Sequence, residues 1–176
     1  MNDQKKEREF IALNIAVLTI SDSRTEATDK SGALLANRLQ SAGHRLAEKR
    51  IVADDIYKIR AIVSGWIADA AVNVIISTGG TGVTGRDGTP EAVAPLLDKE
   101  IEGFGEVFRA LSYEDIKTST LQSRALAGVA NATYVFCLPG STGACKTAWE
   151  ALIAAQLDYR TRPCNLVELM PRLLEK

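Results

Sequence analysis

Apolar positions in this chain alternate between two rhythms, one of strands and one of helices. Residues 11–20 form an almost continuous apolar run, broken only by Asn14 and Thr19 and closed by Ser21-Asp22-Ser23. Rich in β-branched side chains, such a run reads as a strand buried on both faces. Asp29 or Thr28 then offers an N-cap to a helix in which Leu35, Leu39 and Ala42 fall at helical spacing before Gly43. A more polar strand covers residues 45–52. After Asp54-Asp55, the positions Ile56, Ile59, Val63, Trp66, Ile67 and Ala70 repeat as in an amphipathic helix with an aspartate at its start. Residues 72–77 form the third strand, which runs straight into Thr78-Gly79-Gly80-Thr81-Gly82. Thr89-Pro90-Glu91 opens another helix, with a hydroxyl cap, proline in the first helical position and an acid in the first turn. Residues 103–127 read as helical in pieces, with Phe104, Phe108 and Leu111 on one face. Residues 133–138 make a fourth strand, stopped by Pro139-Gly140-Ser141, and a long helix follows over residues 145–157.

Strands alternating with helices across short loops predict an α/β fold, a three-layer sandwich with a mainly parallel sheet and helices on both faces. The 176 residues suit one domain, expected over residues 11–176 behind a charged, flexible leader of residues 1–10. In such a sheet ligands sit beyond the carboxyl ends of the strands. Four loops lie there: residues 21–24, 54–55, 78–89 and 139–142. Composition narrows the partners. With 21 Lys+Arg against 22 Asp+Glu, the chain lacks the basic excess that nucleic acid demands. No apolar run approaches the roughly 20 residues of a membrane span, and no hydrophobic region of a signal peptide follows the leader, so a cytoplasmic protein is expected. Cys137, Cys145 and Cys164 are too scattered for a disulfide frame or, with His44 alone beside them, for a zinc site.

The strongest chemical signal is the loop from Gly79 to Glu91, which holds five glycines in thirteen residues between a strand and a helix start. Glycine lets backbone N–H groups turn toward a ligand, and the helix start beyond favours an anion. The letters of a dinucleotide fingerprint occur at Gly80, Gly82 and Gly85, but the helix starts too late. A P-loop fails as well, because Arg86-Asp87 stand where Lys-Ser/Thr is required. Asp87 is not needed as the cap, which falls to Thr89. A carboxylate inside an anion-binding loop requires a cation between the two, and Mg²⁺ held by Asp87 suits that place. Asp22 and Asp54 lie at two other carboxyl-end loops and could converge with it; each can also be read as a cap or turn residue, for Asp54 about equally well. Arg86 is a candidate phosphate contact. Pro139, Gly140 and Ser141 open a helix after a strand and form a second candidate anion site. His44 follows a helix end, where a surface capping role is expected, so no base exists for a Ser-His-Asp triad. Cys137 reads as core.

Taken together, these residues resemble the MoaB/MogA family of molybdenum cofactor biosynthesis proteins over nearly the whole chain. The carriers are Leu18-Thr19-Ile20-Ser21-Asp22, Ser77-Thr78-Gly79-Gly80-Thr81-Gly82, Asp87-Gly88-Thr89-Pro90-Glu91 and Leu138-Pro139-Gly140-Ser141. Glu102-Gly103-Phe104-Gly105-Glu106 and Thr118-Ser119-Thr120-Leu121-Gln122-Ser123-Arg124 add support, and the run from Gly103 through Arg124 and the late Arg160-Thr161-Arg162-Pro163-Cys164-Asn165 resemble the MoaB branch in particular. The resemblance implies a molybdopterin pocket and a homotrimer or dimer of trimers, working beside other molybdenum cofactor pathway proteins. It implies adenylylation of the terminal phosphate of molybdopterin by ATP with Mg²⁺, or else a carrier that holds the pterin unchanged. Asp87 and Asp54 take the catalytic and metal positions. Asp22, Thr78, Gly79, Gly80, Thr81 and Gly82 fall on the substrate, with Arg86, Thr89, Glu91, Pro139, Gly140 and Ser141 around it. Where the MogA type has proline after Pro-Gly and a polar residue, this chain reads Pro-Gly-Ser-Thr.

Overall fold

Each central strand is apolar at successive positions because both of its faces are covered. In the computed structural model, which describes residues 7–175, β1 (Asn14–Ile20) sends Ile15 and Val17 to one face and Ala16 and Leu18 to the other, all fully buried. On the first face lie α1 (Lys30–Ser41), with Leu35 and Leu39, and α4 (Glu102–Ile116), with Phe104 and Phe108. The same face carries a long C-terminal helix. It runs from α5 (Thr142–Ala148) through a π-helical turn (Trp149–Ile153) into α6 (Ala154–Gln156). The second face is covered by α2 (Ile56–Ala68), through Ile59, Val63 and Trp66, and by the short α3 (Thr89–Val93). A last helix, α7 (Leu166–Leu169), adds Val167 to the first core.

The sheet has six strands in the order β2-β1-β3-β6-β5-β4. β1, β2 (Arg45–Val52), β3 (Val74–Thr78) and β6 (Thr133–Leu138) are parallel. Registers pair Ile20 with Val52, Thr19 with Thr78, and Thr78 with Leu138, so all four strands end in one layer. Their loops leave the sheet side by side. The order reverses between β1 and β3, and that reversal opens the crevice where α/β sheets bind ligands.

The structure departs from the sequence expectation in several places. The stretch expected to be helical to residue 127 is helical only to Ile116, continues as a 3₁₀ turn (Lys117–Gln122), and then enters β5 (Leu126–Ala130). β5 is antiparallel to β6 and pairs with the two-residue β4 (Lys99–Glu100). On α4 the buried row is Phe104, Phe108 and Ser112, whereas Leu111 is exposed, because i, i+4 neighbours share a helix face. The long helix begins at Thr142 rather than residue 145, since the Ser141 hydroxyl caps it by accepting from the Ala144 N–H (3.1 Å). At the two rims, β2 carries Glu48, Lys49 and Arg50, while β4 consists of a lysine and a glutamate.

Of the leader, residues 1–6 lie outside the described residues. Arg8 and Phe10 are docked rather than free. The Arg8 guanidinium pairs with Glu168 at 2.7 Å and lies 4.8 Å from the Tyr159 ring centre. Phe10 packs against His44, ring centres 5.0 Å apart. His44 is therefore not a surface cap. It is buried, its Nδ1 accepting from the Leu13 N–H (3.2 Å) and its ring edge-on to Trp149. Burial lowers its pKa below the ordinary 6.5, against the opposing pull of Asp158. The neutral ring belongs to the folded state, so its contribution is present above about pH 6.5 and is lost as pH falls through the lowered value. His44→Asn, with an amide oxygen to accept from Leu13, is expected to flatten the acid fall in thermal midpoint between pH 7 and 5. Parallel curves for the two proteins would remove His44 from that transition.

Candidate functional site

The glycine-rich loop takes its shape from contacts that exclude side chains. Gly79 has φ +107° and Gly80 +66°, and a Cβ on Gly79 would lie 2.2 Å from the Ile20 carbonyl oxygen. The Gly79 N–H donates to Leu138 O (2.9 Å), which continues the β3–β6 ladder into the loop. Beneath it the Thr78 hydroxyl donates to Pro139 O at 2.8 Å, and Ser31 Oγ donates to Gly140 O at 2.8 Å. Thr89 is fully buried and does not cap α3, whose N-cap is Gly88 with no side-chain bond. Its hydroxyl instead donates to Gly79 O (2.8 Å) and its N–H to Gly80 O (3.0 Å). The turned-in glycine carbonyls are the acceptors that claim it. Thr89 thus holds the loop from below.

Tandem acids follow β2, and only one serves the helix. Asp55 caps α2, accepting from the Tyr57 and Lys58 N–H groups. That leaves Asp54 free to reach the glycine loop: its carboxylate oxygens lie 3.1 and 3.3 Å from where a Cβ on Gly80 would stand. Its Oδ1 is buried with no hydrogen-bond partner. Burial raises the Asp54 pKa, and the negative charges of Asp87 and Asp22 push the same way against the nearby Gly88 N–H. Asp87 behaves oppositely. Its Oδ2 accepts from the Thr84 hydroxyl (2.7 Å) and N–H (2.8 Å), and these bonds hold its pKa below the usual carboxylate range.

The crevice between these loops encloses about 520 Å³. Thr78, Gly79, Gly80, Thr81, Gly82 and Asp87 line one side, and Pro139, Gly140 and Ser141 another. Asp54 sits behind Gly80, whereas Thr89 lies under the loop. Asp22 and Arg86 form an exposed ion pair at the rim, with Asp22 Oδ1 accepting from the Asp54 N–H (3.1 Å). Arg86 is thus engaged by Asp22 rather than directed into the cavity. Glu91 pairs with Arg124 outside it. Cys137 and Cys145 are buried, their thiols pushed up to about 12 and about 11, so neither is a thiolate near neutral pH.

Several lining residues escaped the sequence reading. Asp29 is 3% exposed and faces the cavity floor. Burial alone would raise its pKa; the Lys49 ammonium at 2.9 Å, the Gly32 N–H and the Thr19 hydroxyl together hold it down. Among the described residues, Arg24 is the one cationic side chain lining the cavity. Opposite the glycines stand Ser119, Gln122 and Ser123, whose Oγ is buried without a partner. Their sequence signal was the run from Gly103 through Arg124 within the resemblance, with Thr118–Arg124 inside it. No group of three or more His, Cys, Asp or Glu side chains able to hold a metal occurs among the described residues. A cation would therefore rest on two carboxylates and take its other ligands from phosphate oxygens and water, as Mg²⁺ does. The unpartnered Asp54 Oδ1, near enough to Asp87 for the two charges to interact, fits that requirement.

A doubly wound sheet with a glycine loop and facing acids at its switch point defines an anion-binding α/β protein. The chain belongs to the molybdenum cofactor biosynthesis family, matching the model described as "Probable molybdopterin binding domain" over residues 16–159. It is 60% identical over 157 residues to Molybdenum cofactor biosynthesis protein B of Escherichia coli (strain K12), covering 89% of this chain and 92% of that protein. Identity to the protein of the same name from Bacillus subtilis (strain 168) is 46%, over 83% of this chain and 86% of that one. Among solved structures, that of a Molybdenum cofactor biosynthesis protein B superposes with TM-score 0.83 at 46% identity, covering 85% of this chain and 94% of the other. The tungsten cofactor synthesizing protein MoaB from Pyrococcus furiosus gives 0.72 at 38% identity, over 80% and 90% of the two chains. Among the described residues, no helix is long and apolar enough to cross a membrane.

Proposed function

We propose that this chain binds molybdopterin in the crevice and transfers AMP from ATP to its terminal phosphate, working in the cytoplasm as a homotrimer or dimer of trimers. The observation that carries the reading is the buried, unpartnered Asp54 Oδ1 set against the glycine loop and Asp87. Two negative side chains at a phosphate-sized ribbon of main-chain amides, Asp87 on the cavity side and Asp54 behind it, make chemical sense when a cation joins them. Asp87 and Asp54 would hold Mg²⁺, which supplies the charge neutralisation that lets two polyanions approach.

The rest follows from the chain's own groups. A terminal phosphate oxygen of molybdopterin forms a bond to the α-phosphorus of ATP, the α–β bridge breaks, and pyrophosphate leaves. That oxygen is already ionised at neutral pH, so no general base is required. Catalysis then reduces to positioning and charge stabilisation. The amides of Gly80 and Thr81 would face the phosphates, Arg24 would contribute the positive side chain, and Ser119, Gln122 and Ser123 would offer neutral hydrogen bonds to a polar heterocycle. Incubating the protein with molybdopterin, ATP and Mg²⁺ should yield adenylylated pterin and pyrophosphate in equal amounts. Pterin binding without either product would reassign the chain as a carrier.

A further inference from the structure

Beyond the acids, the loop that presents them has its own device, on the far side from the cavity. Residues 83–86 form an exposed excursion between Gly82 and Asp87. Arg124, 42 residues further on, reaches across its neck: Nε donates to Gly82 O (2.7 Å) and a terminal nitrogen to Asp87 O (2.9 Å). The other terminal nitrogen pairs with Glu91, and the Arg124 N–H donates to Thr81 O (2.9 Å). One guanidinium thus ties both ends of the excursion to each other and to α3. The geometry matters inside the cavity, because a Cβ on Gly82 would lie only 2.7 Å from Asp87 Oδ2. Spreading the neck by an ångström would move the carboxylate off the glycine ribbon.

We propose that Arg124 is a positioning residue that clamps Gly82 and Asp87 together and so fixes the Asp87 carboxylate against the phosphate-binding backbone. This rests on the reading of Asp87 as the cation-holding acid, but the clamp itself can be measured with no ligand present. The planar fork is essential, since an ammonium is a point donor that cannot span two carbonyls and a carboxylate.

Backbone hydrogen exchange of the full chain tests it. Arg124→Ala and Arg124→Lys should each speed exchange at residues 84–89 at least 10-fold, while Val74–Thr78 in β3 keeps its protection. Should the alanine variant fail to fold, the lysine variant carries the test. In the adenylylation assay both should lower kcat by 10-fold or more with KM for ATP changed less than 3-fold, because Arg124 touches no substrate. Unchanged exchange in the loop, or exchange raised equally through β3, would overturn the clamp. Faster loop exchange in a protein whose wild type makes no adenylylated pterin would uphold the clamp and reject only the enzymatic reading.

Discussion

Gly79→Ala is expected to destabilise the protein by about 4 kcal/mol, the sum of overpacking and backbone strain, each roughly 1–3 kcal/mol. The added methyl would meet the Ile20 carbonyl oxygen at 2.2 Å, and the residue would have to keep φ +107°. Neither contact can relax cheaply. Ile20 ends β1, paired with both β2 and β3 through the register of that strand, and the Gly79 N–H is tied to Leu138 O. Stabilities of domains this size are typically 5–15 kcal/mol, so such a loss is a large share of the total. The urea midpoint of the variant against wild type is the measurement, and equal midpoints would mean the loop can move away from β1.

The second large effect concerns the acids and separates stability from activity. Asp87→Ala is expected to abolish measurable adenylylation, a loss on the order of 10²–10³-fold or more, as when one preorganised charge-stabilising group is removed. The fold should survive, since the Asp87 carboxylate bonds only within its own loop, to Thr84 and the Gly82 N–H, and its main-chain bond to Arg124 does not need the side chain. Asp54→Asn should cost as much activity and yet leave the protein as stable or more so. An ionised Asp54 has a raised pKa and a buried oxygen without a partner. A raised carboxyl pKa means that stability is greatest below the unfolded value, near 4, and falls as pH climbs through the folded one. The neutral amide should therefore remove that fall. Thermal midpoints of Asp54→Asn and wild type between pH 3.5 and 7, beside product formation at pH 7, test both halves. A variant both active and less stable would sink the assignment.

The parallel half of the sheet was readable because β1 and β3 are apolar on both faces and punctuated by glycine or aspartate. The antiparallel half was hidden. β5 and β6 are joined by Asn131-Ala132, with φ +46° and +64°, and alanine stands where glycine would have announced the tight turn. β4, at two residues, carries no pattern at all. At the site, the glycine loop and Asp87 were visible as local sequence, and the tandem acids were visible as a pair. Which of the two would cap α2 is settled by the fold. Thr89 carried every local mark of a cap, yet the glycine carbonyls above it were closer to its hydroxyl than the helix needed it to be. Arg124 was beyond reach for a different reason: its acceptors lie some 40 residues upstream, and no periodicity encodes that meeting. His44 was misread because the aromatic rings around it, Phe10 and Trp149, come from opposite ends of the chain.

The rims of the sheet bear on how copies of this chain can associate. A bare outer strand offers unpaired amides and carbonyls to any neighbour, and long, flat, greasy ones invite fibre growth. Here one border strand is studded with Glu48, Lys49 and Arg50, and the other stops after Lys99 and Glu100. A parallel in-register copy would stack like charges on one side, and any added strand would find almost no ladder to extend on the other. Such rims guard crowded solutions of the folded chain against zipping together backbone to backbone.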